Sequence, residues 1–207
     1  MADGPVPWLG PIASLASRVY LRELQRRNRA FDAGVGVARV DRPVISIGNL
    51  SVGGTGKTPM VRWLASRLLE AGQRPCIAMR GYARRKGEQS DEEAEYLRTL
   101  PGVAVVAQPD RASGLRARFT ADPTLNVVIL DDGFQHRRLA RDLDIVLVDA
   151  SRSPFADRLL PAGWLREPVE SLRRAHAVVI THAEMAAPGD LIALEAAIAA
   201  AHGKPAT

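Results

Sequence analysis

A doubly wound, mostly parallel α/β sheet carrying a phosphate-binding loop is the fold class this sequence predicts. Three observations carry that expectation. Short apolar, β-branched runs alternate with helix-periodic stretches between residues 44 and 148. The first run ends at Gly48 and leads into Gly53-Gly54-Thr55-Gly56-Lys57-Thr58. A later run, Val127-Val128-Ile129-Leu130, discharges into Asp131-Asp132-Gly133.

Composition bounds the rest. The 207 residues suffice for one α/β core and part of a second lobe. A hydrophobic share of 46% beside a charged share of 25% is that of a folded, water-facing chain. With a net charge of +5 and a pI near 10.0, an anionic partner is favoured: nucleotide, phospholipid surface or nucleic acid. Cys76 is the one cysteine, so no intrachain disulfide can form, and its place in an apparent strand reads as a small buried hydrophobe. No apolar run approaches the roughly 18 residues of a spanning helix, and no signal-peptide pattern opens the chain.

The elements follow in order. Residues 8–31 read as a helix, because Trp8, Ile12, Leu15, Val19 and Leu24 repeat at helical spacing. Arg18, Arg22, Arg26, Arg27 and Arg29 make it basic, which suits either a lipid headgroup layer or a solvated face. The strand at 44–47 follows. A helix over 60–71 is closed by Gly72, and Pro59 is tolerated in its first turn. A strand at 75–79 comes next, and Ser90 is the N-cap of a helix from Asp91, with Glu93 three residues on. A strand at 103–106, a helix opened by Asp110-Arg111, and strands at 126–130 and 144–148 complete the alternation. Beyond the Pro- and Gly-containing stretch 151–168, a strand at 177–180 and a helix at 190–201 remain.

The chemistry sits where strands end, as ligands in such sheets lie beyond the carboxyl ends. Glycines let backbone N–H groups face a polyphosphate, Lys57 adds a positive charge, and the Thr58 hydroxyl suits Mg²⁺. The strict loop pattern has Gly where this chain has Ser51. Val52 stands where a ParA-like loop carries its signature Lys. The Asp131-Asp132 pair resembles an acidic strand end that holds Mg²⁺, and both acids reach one site only if the chain turns, which Gly133 permits. His136 lies beside these acids, a position that favours binding or catalysis.

Several blocks recur together in one family: Ser51 to Pro59 after Gly48-Asn49, Arg80-Gly81-Tyr82, Pro109-Asp110-Arg111, Asp131 to His136, Arg141-Asp142-Leu143, and Leu160 to Pro168. On these the chain resembles the tetraacyldisaccharide 4′-kinases, the lipid A 4′-kinases of Gram-negative bacteria. The resemblance implies ATP- and Mg²⁺-dependent phosphorylation of the 4′-hydroxyl of a tetraacylated disaccharide 1-phosphate, giving lipid IVA. It implies work at the cytoplasmic face of the inner membrane, with the N-terminal helix on that surface and neither nucleic acid nor a protein as partner. Ser51, Val52, Gly53, Gly54, Thr55, Gly56, Lys57 and Thr58 would bind ATP, with Lys57 also catalytic. Asp91 would be the base on the sugar hydroxyl. Arg111, Gln135, His136 and Arg166 would line the acceptor site. Thr58 with Asp132 or Glu167 would hold Mg²⁺.

The expected division is a membrane-facing helix over 1–40, a nucleotide-binding domain over 41–150, a hinge over 151–175, and over 176–207 the start of an incomplete second lobe. Family chains run longer, so this one is expected to lack the C-terminal part. The competing readings are a ParA-like P-loop switch and an inactive truncated kinase. The absence of an Asn-Lys-x-Asp block counts against a guanine-reading switch.

Overall fold

The structure, a computed structural model, describes residues 10–81 and 91–203. Among these residues, five α-helices and six strands follow in the order α1 (Gly10–Asp32), β1 (Val44–Asn49), α2 (Lys57–Glu70), β2 (Pro75–Met79), α3 (Asp91–Thr99), β3 (Ala104–Ala107), α4 (Arg111–Ala121), β4 (Val127–Asp131), β5 (Leu143–Asp149), β6 (Ala177–Thr181) and α5 (Pro188–His202). Hydrogen bonding orders the strands β3-β2-β4-β1-β5-β6, and the pairs β1–β4, β2–β3, β2–β4 and β5–β6 are parallel. This is the α/β class that the alternation of runs predicts.

Two compact units share the chain. One comprises Val37–Gly48 and Lys57–Asp144. Its strands β2 and β4 are buried at every position, which explains why they read as continuous apolar runs rather than alternating ones. Cys76, Leu115, Val128 and Leu130 form the centre of its core. Burial pushes the Cys76 thiol up to about 12, so it stays a neutral packing group, as its strand position suggested. Helix α4 starts where Asp110 accepts a hydrogen bond from the Ser113 amide at 3.1 Å, satisfying a first-turn donor.

The other unit comprises Met1–Gly36, Asn49–Gly56 and Ile145–Thr207. Strand β6 pairs with β5, from Ile145↔Ala177 to Asp149↔Thr181. A five-residue apolar strand carries no local mark of the sheet it joins, so the sequence could not assign its partner. Residues 164–166, within the stretch expected as a hinge, are hydrogen-bonded to the start of the loop. The Val52 amide donates to the Trp164 carbonyl at 2.8 Å and the Arg166 amide to the Leu50 carbonyl at 2.7 Å. Helix α1 packs on the same stretch: the Ser17 hydroxyl donates to the Leu159 carbonyl at 2.9 Å and the Tyr20 hydroxyl to the Arg166 carbonyl at 2.8 Å. Trp8, Tyr82 and Ser90, each part of an expected helix or block, lie outside the described residues.

Candidate nucleotide site

The phosphate loop follows β1 directly. Gly53 and Gly56 adopt φ of 115° and 79°, a region an L side chain rarely enters, so glycine is required at both. Val52, Gly53 and Gly54 are exposed, whereas Thr55 is buried and holds the loop. Its hydroxyl accepts from Asn49 Nδ2 at 2.8 Å, and its carbonyl accepts from Thr181 Oγ1 at 3.1 Å. Asn49 Oδ1 in turn accepts from Arg166 Nη2. These braces fix the loop's shape through side chains and the Thr55 carbonyl.

Lys57 and Thr58 open α2, three residues earlier than the apolar periodicity indicated. They therefore stand at the positive end of the helix dipole, where phosphate is favoured. Lys57 Nζ lies 3.7 Å from Asp132 Oδ1.

The chain does turn at the end of β4, as Gly133 permits, and the left-handed residue of the turn is Asp132, with φ of 49°. A short polar side chain tolerates that region. Gly133 is needed for another reason: a Cβ there would collide with the Ser46 hydroxyl and come within 2.9 Å of Leu130. The Arg141 guanidinium holds the turn, donating to the Gly133 and Phe134 carbonyls at 2.7 and 3.0 Å. Asp131 is buried and accepts from the Tyr96 hydroxyl at 2.9 Å. Burial raises its pKa, the Asp132 and Glu92 charges raise it further, and the Tyr96 hydrogen bond and Lys57 oppose the shift.

Asp91 is the exposed first residue of α3. Its neighbour Glu92 acts electrostatically on Asp131, so this helix start faces the acids of β4. Arg111 is buried on the first turn of α4 and, with Arg141, Arg138 and Arg80, presses on His136. Burial first and these cations second push the His136 imidazole down to about 4, so it is neutral at physiological pH. Gln135 is half-buried on the same turn. The structure thus gathers Lys57, Asp132, Arg111 and His136, together with the start of α3, within one unit.

Arg166 and Glu167 belong to the other unit. Arg166 braces Asn49. Glu167 is wholly buried, with Arg174 Nη1 at 2.9 Å and Asn28 Nδ2 at 3.4 Å from its Oε2. Both acids face a cation, but Glu167 has no exposed surface whereas the Asp132 side chain is partly open, which favours Asp132 for a hydrated cation.

Among the described residues, no group of three or more His, Cys, Asp or Glu could hold a metal ion unaided. Mg²⁺ does not need one: it keeps several waters and binds through one or two side-chain oxygens plus substrate phosphates. The hard oxygens of Thr58 and Asp132, flanking a lysine, fit that demand. Sequence reasoning missed Tyr96, Asn49 and Thr181. The one available signal was Tyr96 itself, three residues from Glu93 on the buried face of α3, where a phenol needs a partner.

A parallel sheet whose first strand enters a glycine loop and a Lys-Thr helix start defines a P-loop nucleotide-binding α/β protein. The family model described as tetraacyldisaccharide-1-P 4′-kinase matches residues 9–204, and the chain belongs to that family. It is 42% identical over 192 residues to the tetraacyldisaccharide 4′-kinase of Geobacter sulfurreducens, covering 84% of this chain and 54% of the relative. A crystal structure of LpxK from Aquifex aeolicus, described as an "apo" form in complex with ATP, matches with a TM-score of 0.70 at 43% identity, covering 85% of this chain and 58% of the other. FtsY from Mycoplasma mycoides shares the fold alone, at 15% identity and a TM-score of 0.55. The chain spans little more than half the length of these kinase relatives.

Proposed function

We propose that this chain carries the nucleotide-binding part of a kinase that moves the γ-phosphoryl group of ATP to the 4′-hydroxyl of tetraacyldisaccharide 1-phosphate. The observation that carries the reading is Lys57 at a helix start, paired across 3.7 Å with an acid at a strand end, in a member of this family. The loop amides and Lys57 bind the polyphosphate and take up charge as the γ-phosphoryl transfers. Thr58 and Asp132 would hold Mg²⁺, which when bound would neutralise further phosphate charge. Asp91 accepts the 4′-hydroxyl proton. Arg111, Gln135 and neutral His136 meet the sugar, with the imidazole hydrogen-bonding rather than adding charge. Arg166 bears on catalysis through Asn49 and the loop.

The same reading places α1 on the inner-membrane surface. No described helix is long and apolar enough to cross a membrane. The support is a division of faces. Ser17, Tyr20, Leu24 and Asn28 turn to the protein, while Ile12, Leu15 and Val19, each at least 60% exposed, repeat at spacings of three and four on the other side. Arg22 and Arg26 continue that outer row. The outer face is therefore apolar toward the N-terminus and basic beyond it, matching acyl chains and then anionic headgroups.

The test is phosphoryl transfer from labelled ATP to the lipid disaccharide, run with this chain and with one extended past Thr207. Asp91→Ala should cut turnover by about 10²–10⁴-fold while calorimetry finds ATP binding intact. Unchanged turnover would remove Asp91 as the base. Absence of transfer by both chains, despite ATP binding, would sink the substrate assignment.

A further inference from the structure

Arg166 is where α1 and the phosphate loop meet within one unit. The two peptides flanking it are held at all four of their polar groups. The Leu165 carbonyl accepts from the Leu160 amide at 2.8 Å. The Arg166 and Glu167 amides both donate to the Leu50 carbonyl, at 2.7 and 3.2 Å. The fourth group, the Arg166 carbonyl, accepts from the Tyr20 hydroxyl at 2.8 Å. Three of these partners are backbone groups. The fourth is a side chain from a helix 146 residues away.

From that fixed backbone the Arg166 side chain reaches Asn49. A guanidinium can only donate, so Nη2 must meet Asn49 Oδ1, and this orients the amide. Asn49 Nδ2 is thereby aimed at the Thr55 hydroxyl, 2.8 Å away. Asn49 and Thr55 are both buried, where a lost partner is costly. Thr55 lies between Gly54 and Gly56, so its placement sets the middle of the loop. Without the phenol, the Arg166–Glu167 peptide is pinned at one edge and can tilt, carrying the guanidinium away from Asn49. We propose that Tyr20 is a positioning residue for the phosphate loop: it fixes the Arg166 peptide and, through Arg166 and Asn49, holds Thr55 in the geometry that accepts a polyphosphate. The inference rests on the nucleotide-binding reading above. It gives the inner face of α1 a task separate from that of the exposed row.

The experiment is ATP binding by calorimetry at saturating Mg²⁺, with the full 207-residue chain and its Tyr20→Phe variant. The substitution keeps the ring, and a melting curve confirms the fold. It should weaken ATP binding about fivefold, the scale of one hydrogen bond. Ser17→Ala is the control, because Ser17 also ties α1 to this stretch, through the Leu159 carbonyl and the Ala162 amide rather than residue 166. It should change ATP affinity less than about twofold. In an Asn49→Ala background, Tyr20→Phe should likewise cost less than about twofold, because the route to Thr55 is already cut. Arg166→Met is a second background with the same expectation. Where transfer is measured, Tyr20→Phe should raise the KM for ATP and leave that for the lipid disaccharide unchanged. Unaltered ATP affinity in Tyr20→Phe overturns the proposal. So does an equal loss in Ser17→Ala, a fivefold loss that persists in both backgrounds, or an equal rise in both KM values. Failure of the unsubstituted chain to bind ATP at all would overturn the nucleotide reading itself, so the two failures are distinguishable.

Discussion

His136 shows how much of a residue's chemistry is set by neighbours far away in sequence. The block around it marked it as a candidate for binding, but its charge state was not legible, because the cations that press on it come from four separate positions: Arg111, Arg141, Arg138 and Arg80. Its folded pKa of about 4 lies below the ordinary value of 6.5. The unfolded chain therefore takes up the proton first as pH falls. The stability associated with a neutral His136 is complete above about pH 6.5, declines as pH drops, and has been lost once pH passes below about 4. Urea unfolding of the chain and of His136→Asn should thus diverge between pH 6.5 and 4, the variant showing the shallower decline. Parallel curves across that window would show that this imidazole is not held neutral by the fold. Asp132 makes the complementary point. From the sequence, Gly133 permits the turn that brings both acids to one site. The structure uses glycine there for close approach to Ser46 and gives the left-handed conformation to the acid. A sequence shows that a glycine is present but not which of these two demands it meets.

At the scale of elements, what the sequence revealed depended on whether the signal was local. The buried strands β2 and β4, the glycine loop and the Asp110 cap were legible, because each is written in adjacent residues. The partnership of β6 with β5 and the docking of α1 on residues 159–174 were not, since both join segments distant in the chain. Helix α1 illustrates the boundary. Its amphipathic row was visible from spacing, but two opposed faces were needed to separate lipid from core. Knowing that Ser17 and Tyr20 bond inward frees the row of Ile12, Leu15 and Val19 for another medium. Fully burying one such side chain is worth about 1.5–3 kcal/mol. Replacing Leu15 and Val19 together by Glu should weaken sedimentation with anionic phospholipid vesicles by at least about a hundredfold, with the melting temperature little changed. Arg22→Gln with Arg26→Gln should instead leave binding to neutral vesicles alone and remove most of the gain from anionic lipid. Equal binding by the Glu variant would mean that the exposed row faces water.

The whole molecule is divided in a way that bears on its stability. The chain passes from one unit to the other at residues 36–37, 48–49, 56–57 and 144–145. Neither unit is one continuous stretch, so neither can be cut out as a segment, and one cooperative unfolding transition is the expectation. One of the four passages falls at Gly56-Lys57, inside the phosphate loop. A ligand gripped by that loop binds the folded chain and not the unfolded one, and it stabilises by mass action. At one hundred times its dissociation constant the gain is about 2.7 kcal/mol. For a chain of this size each kcal/mol moves the midpoint by roughly 2–4 °C, so ATP with Mg²⁺ should raise it by about 5–11 °C in a single transition. Lys57→Ala should lose most of that shift while melting near the unliganded chain in the absence of nucleotide, because the ion pair of its side chain with Asp132 is partly exposed. Two separate transitions, only one of them moved by nucleotide, would show that the interleaved units unfold independently. No shift in either would show that the loop does not grip ATP.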